Sequence, residues 1–306
     1  MKTFAGKVAA ITGAASGMGR ELAVQLAQHG CHLALGDVDE AGLAETRRLA
    51  GAANDGIRVE ATALDVADRA AVFAWAEASA RLHGKVNLVF NNAGVGLAST
   101  VEAMRLADFE WLMNINFWGV VHGTQAFLPH LKASGDGHVV NTSSLFGLLA
   151  SPGASAYHAA KFAVRGFTES LRQELDLMNC GVSATCVHPG GIKTAIARNS
   201  RVDANVAALG VDPLKSAQEF EKHFITTAAA AARTILKAVR NNRRRVLVGP
   251  DAVVLDKIQR LFPSGYAAVV ESLHRRTHKT GAATASPAGD LAPRATQEAG
   301  LPLPRE

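Results

Sequence analysis

The regular alternation of short apolar runs with longer amphipathic stretches constrains the fold of this chain more than any other feature. Apolar runs of this length are typical of strands that are buried on both faces. The predicted strands are Lys7–Thr12, His32–Gly36, Ile57–Ala63, Val86–Asn91, His138–Ser143, Val182–His188 and a weaker Arg245–Val248. The predicted helices are Gly17–His29, Glu40–Ala53, Arg69–His83, Leu106–Ala133 and Ser155–Asn179.

This order of elements predicts an α/β fold with a doubly wound parallel sheet, a three-layer Rossmann fold with helices on both faces. We expect one catalytic domain over residues 1–250, because 306 residues with 48% hydrophobic content suit a single large domain. Ligands of such sheets bind at the carboxyl ends of the strands.

Three segments depart from the alternation. Residues 195–225 are polar and mixed, follow the last long strand, and are expected to form a mobile lid over the ligand. Residues 251–276 suggest two short helices, Asp251–Phe262 and Ala267–Arg276, which could shield the pocket, join a subunit contact or rest on a membrane surface. Residues 277–306 are rich in Ala, Thr, Pro and Gly, and a disordered tail is expected there.

Composition excludes several classes of protein. The three cysteines have neither disulfide-framework nor metal-site spacing, and we expect no bound metal. No run approaches the ~18 apolar residues of a membrane span, and the first strand leaves no room for a signal peptide, so a cytoplasmic location is expected. The net charge is +5, but the basic residues are mostly scattered, without the aromatic pattern of a nucleic-acid partner.

A glycine-rich segment, Thr12–Gly19, follows the first predicted strand and opens the first predicted helix. Its glycines permit a tight turn and let backbone amides approach a pyrophosphate, while the helix N-terminus adds partial positive charge. Glycines also serve ordinary turns, and it is the placement between strand and helix that favours a dinucleotide site. The expected cofactor contacts here are Gly13, Ser16, Gly17, Met18 and Gly19.

Asp37 ends the second predicted strand, and its carboxylate decides which cofactor is expected. A carboxylate there accepts hydrogen bonds from the adenosine ribose and repels the 2′-phosphate of NADP. Neither Ser16 nor Val38 offers a cation for that phosphate, and Arg20 points into the first helical turn. The sequence therefore favours NAD over NADP. The alternative role of Asp37, capping the next helix, suits Asp39 better.

Tyr157 and Lys161 lie four residues apart at the start of a long predicted helix, so their side chains share one face. A nearby ammonium stabilises a phenolate, which makes tyrosine a better acid or base near neutral pH. Such pairs are common on helix surfaces, yet the chain has only two tyrosines against twelve phenylalanines. We therefore expect the Tyr157 hydroxyl to be used.

Other polar residues follow strands at the same predicted edge. Ser144 comes thirteen residues before Tyr157, where its hydroxyl could hold a carbonyl or alcohol oxygen. The segment Asn91–Gly94 ends the fourth strand. Asn116 lies inside a predicted helix, where asparagine is disfavoured unless its side chain has a specific role.

Taken together, these motifs resemble the short-chain dehydrogenase/reductase family over roughly residues 5–250, with each motif in order. The resemblance implies that Tyr157 is the general acid/base and that Ser144 positions the reacting oxygen. It further implies that Lys161 binds the nicotinamide ribose and lowers the pKa of Tyr157, while Asn116 holds a water in a proton relay through Lys161. The further cofactor contacts it implies are Asp65, Val66, Asn91, Asn92, Ala93, Gly94, Pro189, Gly190, Ile192 and Thr194.

Two positions depart from the family's usual pattern without touching a reacting atom. His188 stands where the family commonly has Asn, and Ala160 where Ser is frequent. We expect His188 and His158 to serve local packing rather than to bind a ligand.

The substrate is expected to be a secondary alcohol or ketone with a hydrophobic or aromatic body, because the segments that follow Ser144 and Gly94 are apolar. Alternatively, these side chains pack beneath the lid or against another subunit. Arg198 and Arg201 in the lid could receive an anionic group. The expected substrate contacts are Ser144, Leu145, Phe146, Leu149, Tyr157 and Gly191.

Two other functions remain open. A nucleotide-sugar epimerase of the extended type also uses a Tyr-x-x-x-Lys pair, but usually has two residues, not three, between the first two loop glycines. A catalytically silent nucleotide-binding protein would not need the complete set of polar residues. The resemblance further implies a homodimer or homotetramer formed through Leu106–Ala133 and Ser155–Asn179.

Overall fold

The computed structural model describes residues 1–277, and a parallel sheet forms its centre. The strands are β1 (Val8–Thr12), β2 (His32–Asp37), β3 (Val59–Ala63), β4 (Leu88–Asn91), β5 (Leu97–Ala98), β6 (Gly137–Thr142), β7 (Val182–Pro189), β8 (Ile192–Lys193), β9 (Arg201–Val202), β10 (Thr226–Thr227) and β11 (Arg245–Val248). Within the described residues, the main sheet has seven strands in the order β3-β2-β1-β4-β6-β7-β11, and all of its pairings are parallel.

Helices cover both faces of this sheet. They are α1 (Gly17–Gln28), α2 (Glu40–Ala53), α3 (Arg69–His83), α4 (Leu106–Met113), α5 (Gly119–Ala133), α6 (Ser155–Met178), α7 (Ser216–Glu221), α8 (Ala228–Arg240), α9 (Pro250–Leu261) and α10 (Tyr266–Thr277). On one face, apolar residues of α1 and α8 pack on the sheet, with Leu26 and Ile235 buried there. On the other face, α3, α5 and α6 bury Trp75, Phe127 and Leu175.

The structure confirms the predicted Rossmann fold, and most element bounds differ from the sequence expectation by only one or two residues. The main departure is in the helix predicted over Leu106–Ala133. A π-helical segment, Asn114–Trp118, separates α4 from α5 and adds one residue to a turn. Hydrophobic periodicity does not reveal this segment, because the turns on either side keep their ordinary helical spacing.

The lid predicted over residues 195–225 is firmly attached in its first half. There β9 pairs with β5, and the Asn205 side chain accepts a hydrogen bond from the Thr100 amide at 2.8 Å. Arg201 forms an ion pair with Asp108 at 2.7 Å. In the second half, by contrast, α7 buries none of its residues, and its Phe220 ring is 46% exposed.

The predicted C-terminal helices are present as α9 and α10, and they lie beside the loop that follows Ser144. The Tyr266 hydroxyl of α10 accepts a hydrogen bond from the Ala150 amide at 3.2 Å. His274 contacts the Leu209 carbonyl of the lid at 2.8 Å. The three roles left open by the sequence stay predictions.

The tail predicted over residues 277–306 lies outside the described residues except for Thr277, which ends α10. Over residues 1–277, no helix combines the length and the hydropathy that a bilayer crossing requires. The cytoplasmic location stays a prediction.

Phe127→Ala tests the packing between helix and sheet. The Phe127 ring is fully buried and meets Trp75 edge to face at 5.0 Å between centroids. We expect the free energy of unfolding to fall by about 3–5 kcal/mol in chemical denaturation followed by circular dichroism. Leu177→Ala, at a side chain that is 88% exposed on α6, should change it by less than about 0.5 kcal/mol. Equal losses in the two variants would contradict this account of the core.

Candidate active site

The carboxyl ends of β1, β4 and β6 place the predicted catalytic residues on one edge of the sheet. Ser144 lies two residues beyond β6, while Tyr157 and Lys161 occupy the first two turns of α6. Asn116 and Lys161 both approach Gly94. A Cβ built on Gly94 would lie 3.2 Å from Asn116 Oδ1 and 3.5 Å from Lys161 Nζ. The structure therefore brings all four residues together.

A chain of buried side-chain hydrogen bonds joins this edge to the helix that carries Tyr157. Asn91 of β4 donates to Asn141 Oδ1 of β6 at 2.8 Å, and Asn141 donates to Thr168 Oγ1 of α6 at 3.0 Å. Asn91 also donates to Thr124 Oγ1 of α5 at 3.1 Å. The four side chains are buried, so the chain fixes both helices against the sheet.

Ser144 lies close enough to Tyr157 to influence its pKa, and the backbone around Ser144 is held from two sides. Its Oγ accepts from the Phe146 amide at 3.0 Å, and its carbonyl oxygen lies 2.9 Å from His188 Nδ1. Burial raises the pKa of Tyr157, and the hydrogen bond from Ser144 offsets part of that rise. The phenol is therefore protonated in this state and can donate a proton.

Lys161 is buried beneath the Tyr157 ring, with its Nζ 5.6 Å from the ring centroid. Nζ donates to the Thr142 carbonyl oxygen at 3.0 Å, and burial lowers the pKa of Lys161 to about 8. The lowered Tyr157 pKa expected from this lysine does not appear in the structure, because burial of the phenol dominates. With a pKa near 8, Lys161 can itself exchange a proton close to neutral pH.

Asn116 occupies the π-helical segment, and both ends of its amide are bound to one residue. Its Oδ1 accepts from the Val95 amide and its Nδ2 donates to the Val95 carbonyl oxygen, each at 2.8 Å. The side chain is fully buried. Asn116 thus anchors the turn after β4, which contains Gly94, and its polar atoms are already used by the backbone.

The glycine-rich loop leaves no room for side chains. Gly13 and Gly17 have φ of +66° and +52°, a region that favours glycine. A Cβ on Gly13 would lie 2.8 Å from Ala93 Cα, and one on Gly19 only 2.0 Å from the Gly13 carbonyl oxygen. The Ser16 side chain makes no cap hydrogen bond at the start of α1. The loop therefore fits a pyrophosphate above the helix N-terminus.

The turn after β4 is joined to this loop. Thr12 Oγ1 accepts from the amides of Asn92 and Ala93 at 3.0 and 3.1 Å, and Asn92 donates to the Thr12 carbonyl oxygen at 3.1 Å. Asn92 Oδ1 is buried without a partner among the described residues, and it can accept a hydrogen bond from a ligand.

Asp37 lies at the end of β2 beside the loop, where its carboxylate accepts from the amides of Ala15 at 2.9 Å and Asp39 at 3.1 Å. Asp39 caps α2 by accepting from Gly42 at 2.9 Å, so Asp37 is not needed as a cap. Arg20 bonds to Thr46 and to the carbonyl oxygens of Ala15 and Gly42. It is therefore committed to the fold and does not present its charge to a 2′-phosphate.

The predicted adenine contacts differ in accessibility. Asp65 is exposed after β3 and accepts from the Ala67 amide at 2.9 Å. Val66 is 6% exposed, and its carbonyl oxygen lies 3.1 Å from His122 Nδ1. A Cβ on Gly119 would lie 2.7 Å from Val66 Cγ2. The exposed Asp65 side chain can reach a ligand directly, whereas the Val66 side chain is packed against Gly119 of α5.

The segment after β7 passes close to the glycine-rich loop. A Cβ on Gly17 would lie 2.9 Å from Thr194 Cγ2, so Thr194 reaches the start of α1. Pro189 ends β7, the Gly190 amide donates to the Val248 carbonyl oxygen at 2.9 Å, and Ile192 is buried in β8. The predicted cofactor contacts on this segment thus lie beside those of the loop.

Asp251 contacts the predicted cofactor segment, and its sequence position does not predict this contact. Its Oδ2 accepts from the Gly191 amide at 2.6 Å, although it lies 60 residues away at the start of α9. The local signal is an acidic residue after Pro250, which reads as an ordinary helix start. Only the fold shows that it reaches the segment after β7.

The expected substrate loop divides into packed and accessible side chains. Leu145 and Leu149 are 6% and 3% exposed and pack in the interior, which matches the alternative that they lie beneath the lid. Phe146 is partly exposed, and its ring lies 6.3 Å from the Tyr157 ring and 6.2 Å from the Phe220 ring of α7. The Phe146 ring therefore links Tyr157 to Phe220.

The two lid arginines that could have received an anionic group are both paired. Arg198 binds Glu221 at 3.0 Å. Arg201 binds Asp108, and its guanidinium lies 3.6 Å from the centroid of the Trp111 ring. The Arg201 pair ties the lid to α4, whereas the Arg198 pair lies within the lid.

His158 and His188 are buried, as expected for packing residues, and each holds a loop. His158 Nε2 accepts from the Ser151 amide at 3.0 Å, and Nδ1 lies 3.2 Å from the Phe146 carbonyl oxygen. Burial lowers the pKa of His158, and it lowers the pKa of His188 to about 4. Both rings are neutral at pH 7.

His188→Asn tests the cost of burying that ring. In the unfolded chain, histidine has its ordinary pKa of about 6.5 and binds a proton below that pH, whereas folded His188 stays neutral down to about pH 4. The free energy of unfolding therefore falls as pH decreases below about 6.5. Between pH 6.5 and 5 this amounts to about 2 kcal/mol. Denaturant unfolding at both pH values should show a correspondingly smaller loss in the variant. The same loss in both proteins would show that the ring titrates normally.

Asp37→Ala tests the cofactor preference encoded at the end of β2. Fluorescence titration should show wild type preferring NADH to NADPH, and the variant should narrow that ratio by at least about tenfold, because a repelling charge is removed. Asp37→Asn keeps an oxygen for the Ala15 amide and separates charge from loop support. A wild type that prefers NADPH would refute the assignment.

Comparison with known proteins agrees with this geometry. The family model described as short chain dehydrogenase matches residues 7–205. "Putative oxidoreductase SadH" of Mycobacterium tuberculosis is 50% identical over 271 residues, which cover 88% of this chain and 96% of that protein.

Solved structures give the same result. A short-chain dehydrogenase/reductase from Burkholderia phymatum in complex with NAD is 31% identical with a TM-score of 0.79, covering 87% of this chain and 97% of that one. Carveol dehydrogenase from Mycobacterium avium in complex with NAD is 25% identical with a TM-score of 0.71, covering 83% and 100%.

Proposed function

This chain belongs to the short-chain dehydrogenase/reductase family of oxidoreductases, and on that premise we propose that it interconverts a secondary alcohol and a ketone with NAD. The observation that carries the proposal is the placement of Ser144 beside Tyr157, above the buried Lys161. Two hydroxyls that meet at the ligand edge of the sheet can hold one substrate oxygen between them.

NAD is the proposed cofactor because the described residues fit it. The glycine-rich loop opens α1, whose N-terminal amides favour a phosphate, and Asp37 presents a carboxylate at the neighbouring end of β2, where the adenosine ribose would lie. The committed state of Arg20 leaves the 2′-phosphate of NADP without that partner. Bound NAD would accept or supply the hydride, and both solved relatives named above were crystallised with it.

Proton transfer is assigned to Tyr157. In the direction of reduction its protonated phenol donates to the substrate oxygen, while Ser144 keeps that oxygen within reach. In the direction of oxidation the phenolate accepts the proton, which requires the raised pKa of Tyr157 to be brought down when the site is filled. Lys161, with its pKa near 8, is the nearest group that can supply the charge.

Asn116 is proposed to act through the turn after β4. Both of its amide atoms bind Val95, so its direct contribution is to fix that turn and Gly94 beside Lys161. Its role in holding a relay water stays a prediction from the family resemblance.

The proposed substrate has an apolar or aromatic body. The Phe146 ring lies beside Tyr157 and stacks with Phe220, and the lid arginines are paired with carboxylates. Carveol dehydrogenase is named for an alcohol on a hydrocarbon ring, which is a molecule of this kind. A panel of apolar, cyclic and aromatic alcohols with NAD, followed at the nicotinamide absorbance, would identify the class.

The alternative functions are tested by the same panel. A catalytically silent nucleotide-binding protein would bind NADH and turn over no member of a broad alcohol and ketone panel. An epimerase of the extended type would convert nucleotide sugars without net change in NADH. The three residues between Gly13 and Gly17 favour the proposed dehydrogenase over the epimerase. They do not favour the silent protein over the dehydrogenase.

We also propose self-association through α5, α6 and the π-helical segment between α4 and α5. Trp118 and Phe162 on these elements are 47% and 41% exposed, and large apolar side chains at such exposure favour a contact with a second copy. Light scattering after size exclusion would distinguish a monomer from a dimer or tetramer.

Tyr157→Phe tests the proposed mechanism. We expect turnover to fall by at least about 100-fold, the usual contribution of general acid/base catalysis, with NADH affinity nearly unchanged. Tyr266→Phe is the matched control, because it removes the chain's other phenol, which accepts only from the Ala150 amide. It should keep most of the turnover. Activity retained by Tyr157→Phe would exclude this residue as the acid/base.

A further inference from the structure

Three distant parts of the chain meet at the backbone of Gly191. The Gly191 amide donates to Asp251 Oδ2 at 2.6 Å, at the start of α9. The Gly191 carbonyl oxygen accepts from the amides of Ile225 and Thr226, both at 3.1 Å, where the lid ends. The segment after β7 is thereby fixed on one side by the C-terminal helices and on the other by the lid.

The carboxylate of Asp251 sits in a space that two glycines create. A Cβ on Gly190 would lie 2.1 Å from Asp251 Oδ2, and a Cβ on Gly249 would lie 2.4 Å from Oδ1. Gly249 also has φ of +106°, which other residues rarely adopt. Any side chain at either position would push the carboxylate away from Gly191.

The second oxygen of this carboxylate is buried and has no partner among the described residues. A helix-capping carboxylate would not need to be buried, because capping interactions also form at the surface. Burial of a charged oxygen is costly, and the bond to Gly191 is the interaction that offsets this cost.

We propose that Asp251 is a positioning residue for the nicotinamide end of the cofactor and that it acts through the Gly191 peptide. This inference rests on the proposed function. Asp251 lies outside residues 7–205, the part that matches the family model, so the C-terminal helices of this chain supply the contact. The bond from Gly191 to Asp251 makes the position of the segment that carries Ile192 and Thr194 depend on α9.

The Gly191 amide bonds to Asp251, and the Gly191 carbonyl oxygen bonds to Ile225 and Thr226, so loss of one contact affects the other. Loss of the Asp251 acceptor frees the Gly190–Gly191 peptide group, which can then rotate. The Gly191 carbonyl belongs to the next peptide group and is joined to the first only through the Gly191 Cα, so movement there displaces the acceptor of Ile225 and Thr226 and loosens the end of the lid. The segment under the nicotinamide and the lid therefore respond to the same carboxylate.

The first test uses the cofactor-free protein. In hydrogen exchange followed by mass spectrometry, Asp251→Ala should speed amide exchange in peptides containing Gly191 and in those containing Ile225 and Thr226. Asp251→Asn retains an acceptor oxygen and should restore part of the protection. Unchanged exchange at both places in Asp251→Ala would overturn the inference.

The second test compares NADH with ADP-ribose, which lacks the nicotinamide. Asp251→Ala should weaken NADH binding by about tenfold, equivalent to about 1.4 kcal/mol, and ADP-ribose binding by less than about twofold. Fluorescence titration and calorimetry measure the two affinities. A general loss of structure would weaken both ligands alike, and that result would overturn the positioning role.

Asp256 provides the matched control on the same helix. It is 6% exposed, one of its oxygens binds Arg260 at 2.8 Å, and the other has no partner within the part of the chain that the structure describes. Asp256→Ala should lower stability without a selective loss of NADH affinity. The same selective loss in Asp256→Ala would assign the effect to α9 as a whole and overturn the proposal.

The outcome for the wild type separates this inference from the proposed function. A wild type that binds neither NADH nor ADP-ribose overturns the proposed function, and the inference falls with it. Binding of both ligands by wild type with no selective loss in Asp251→Ala overturns the inference alone.

Discussion

The buried hydrogen bonds from Asn91 through Asn141 to Thr168 are the interaction on which the rest of the site depends. They connect two central strands to α6, so the position of Tyr157 relative to the sheet edge is set by polar contacts of defined length. Apolar packing alone tolerates small rotations of a helix, whereas a buried chain of directional hydrogen bonds selects one orientation. Ser144 and Lys161 can meet Tyr157 because this orientation is fixed.

A second set of contacts joins peripheral elements to the loops at the ligand edge. Asp251 reaches back from the C-terminal helices to Gly191, Tyr266 contacts Ala150, and Arg201 ties the lid to Asp108. Each of these contacts ends on a loop that borders the ligand edge rather than on the sheet. The central sheet therefore supports the chemistry, and the peripheral elements set how its loops are arranged around a substrate.

The sequence predicted the fold and the gathering of Asn116, Ser144, Tyr157 and Lys161 well, because strand order and helical spacing are local patterns with few geometric solutions. It did not predict that Arg198 and Arg201 are already paired, and it left open whether Leu145 and Leu149 face a substrate or pack inward, since both points depend on contacts between distant segments. Asp251 was missed for the same reason. The raised pKa of Tyr157 arises from burial, which spacing along a helix does not report.

The π-helical segment at Asn114–Trp118 sets the rotational phase of everything that follows it in the helix. One residue of an α-helix corresponds to about 100° of rotation, and the wider π turn absorbs that rotation by holding one more residue per turn. If the segment wound as regular α-helix with the same residues, α5 would turn by that angle relative to α4. Phe127 would leave the core, and Thr124 would lose Asn91. The packing of the whole helix therefore keeps the π turn in place, and with it the anchoring of Asn116.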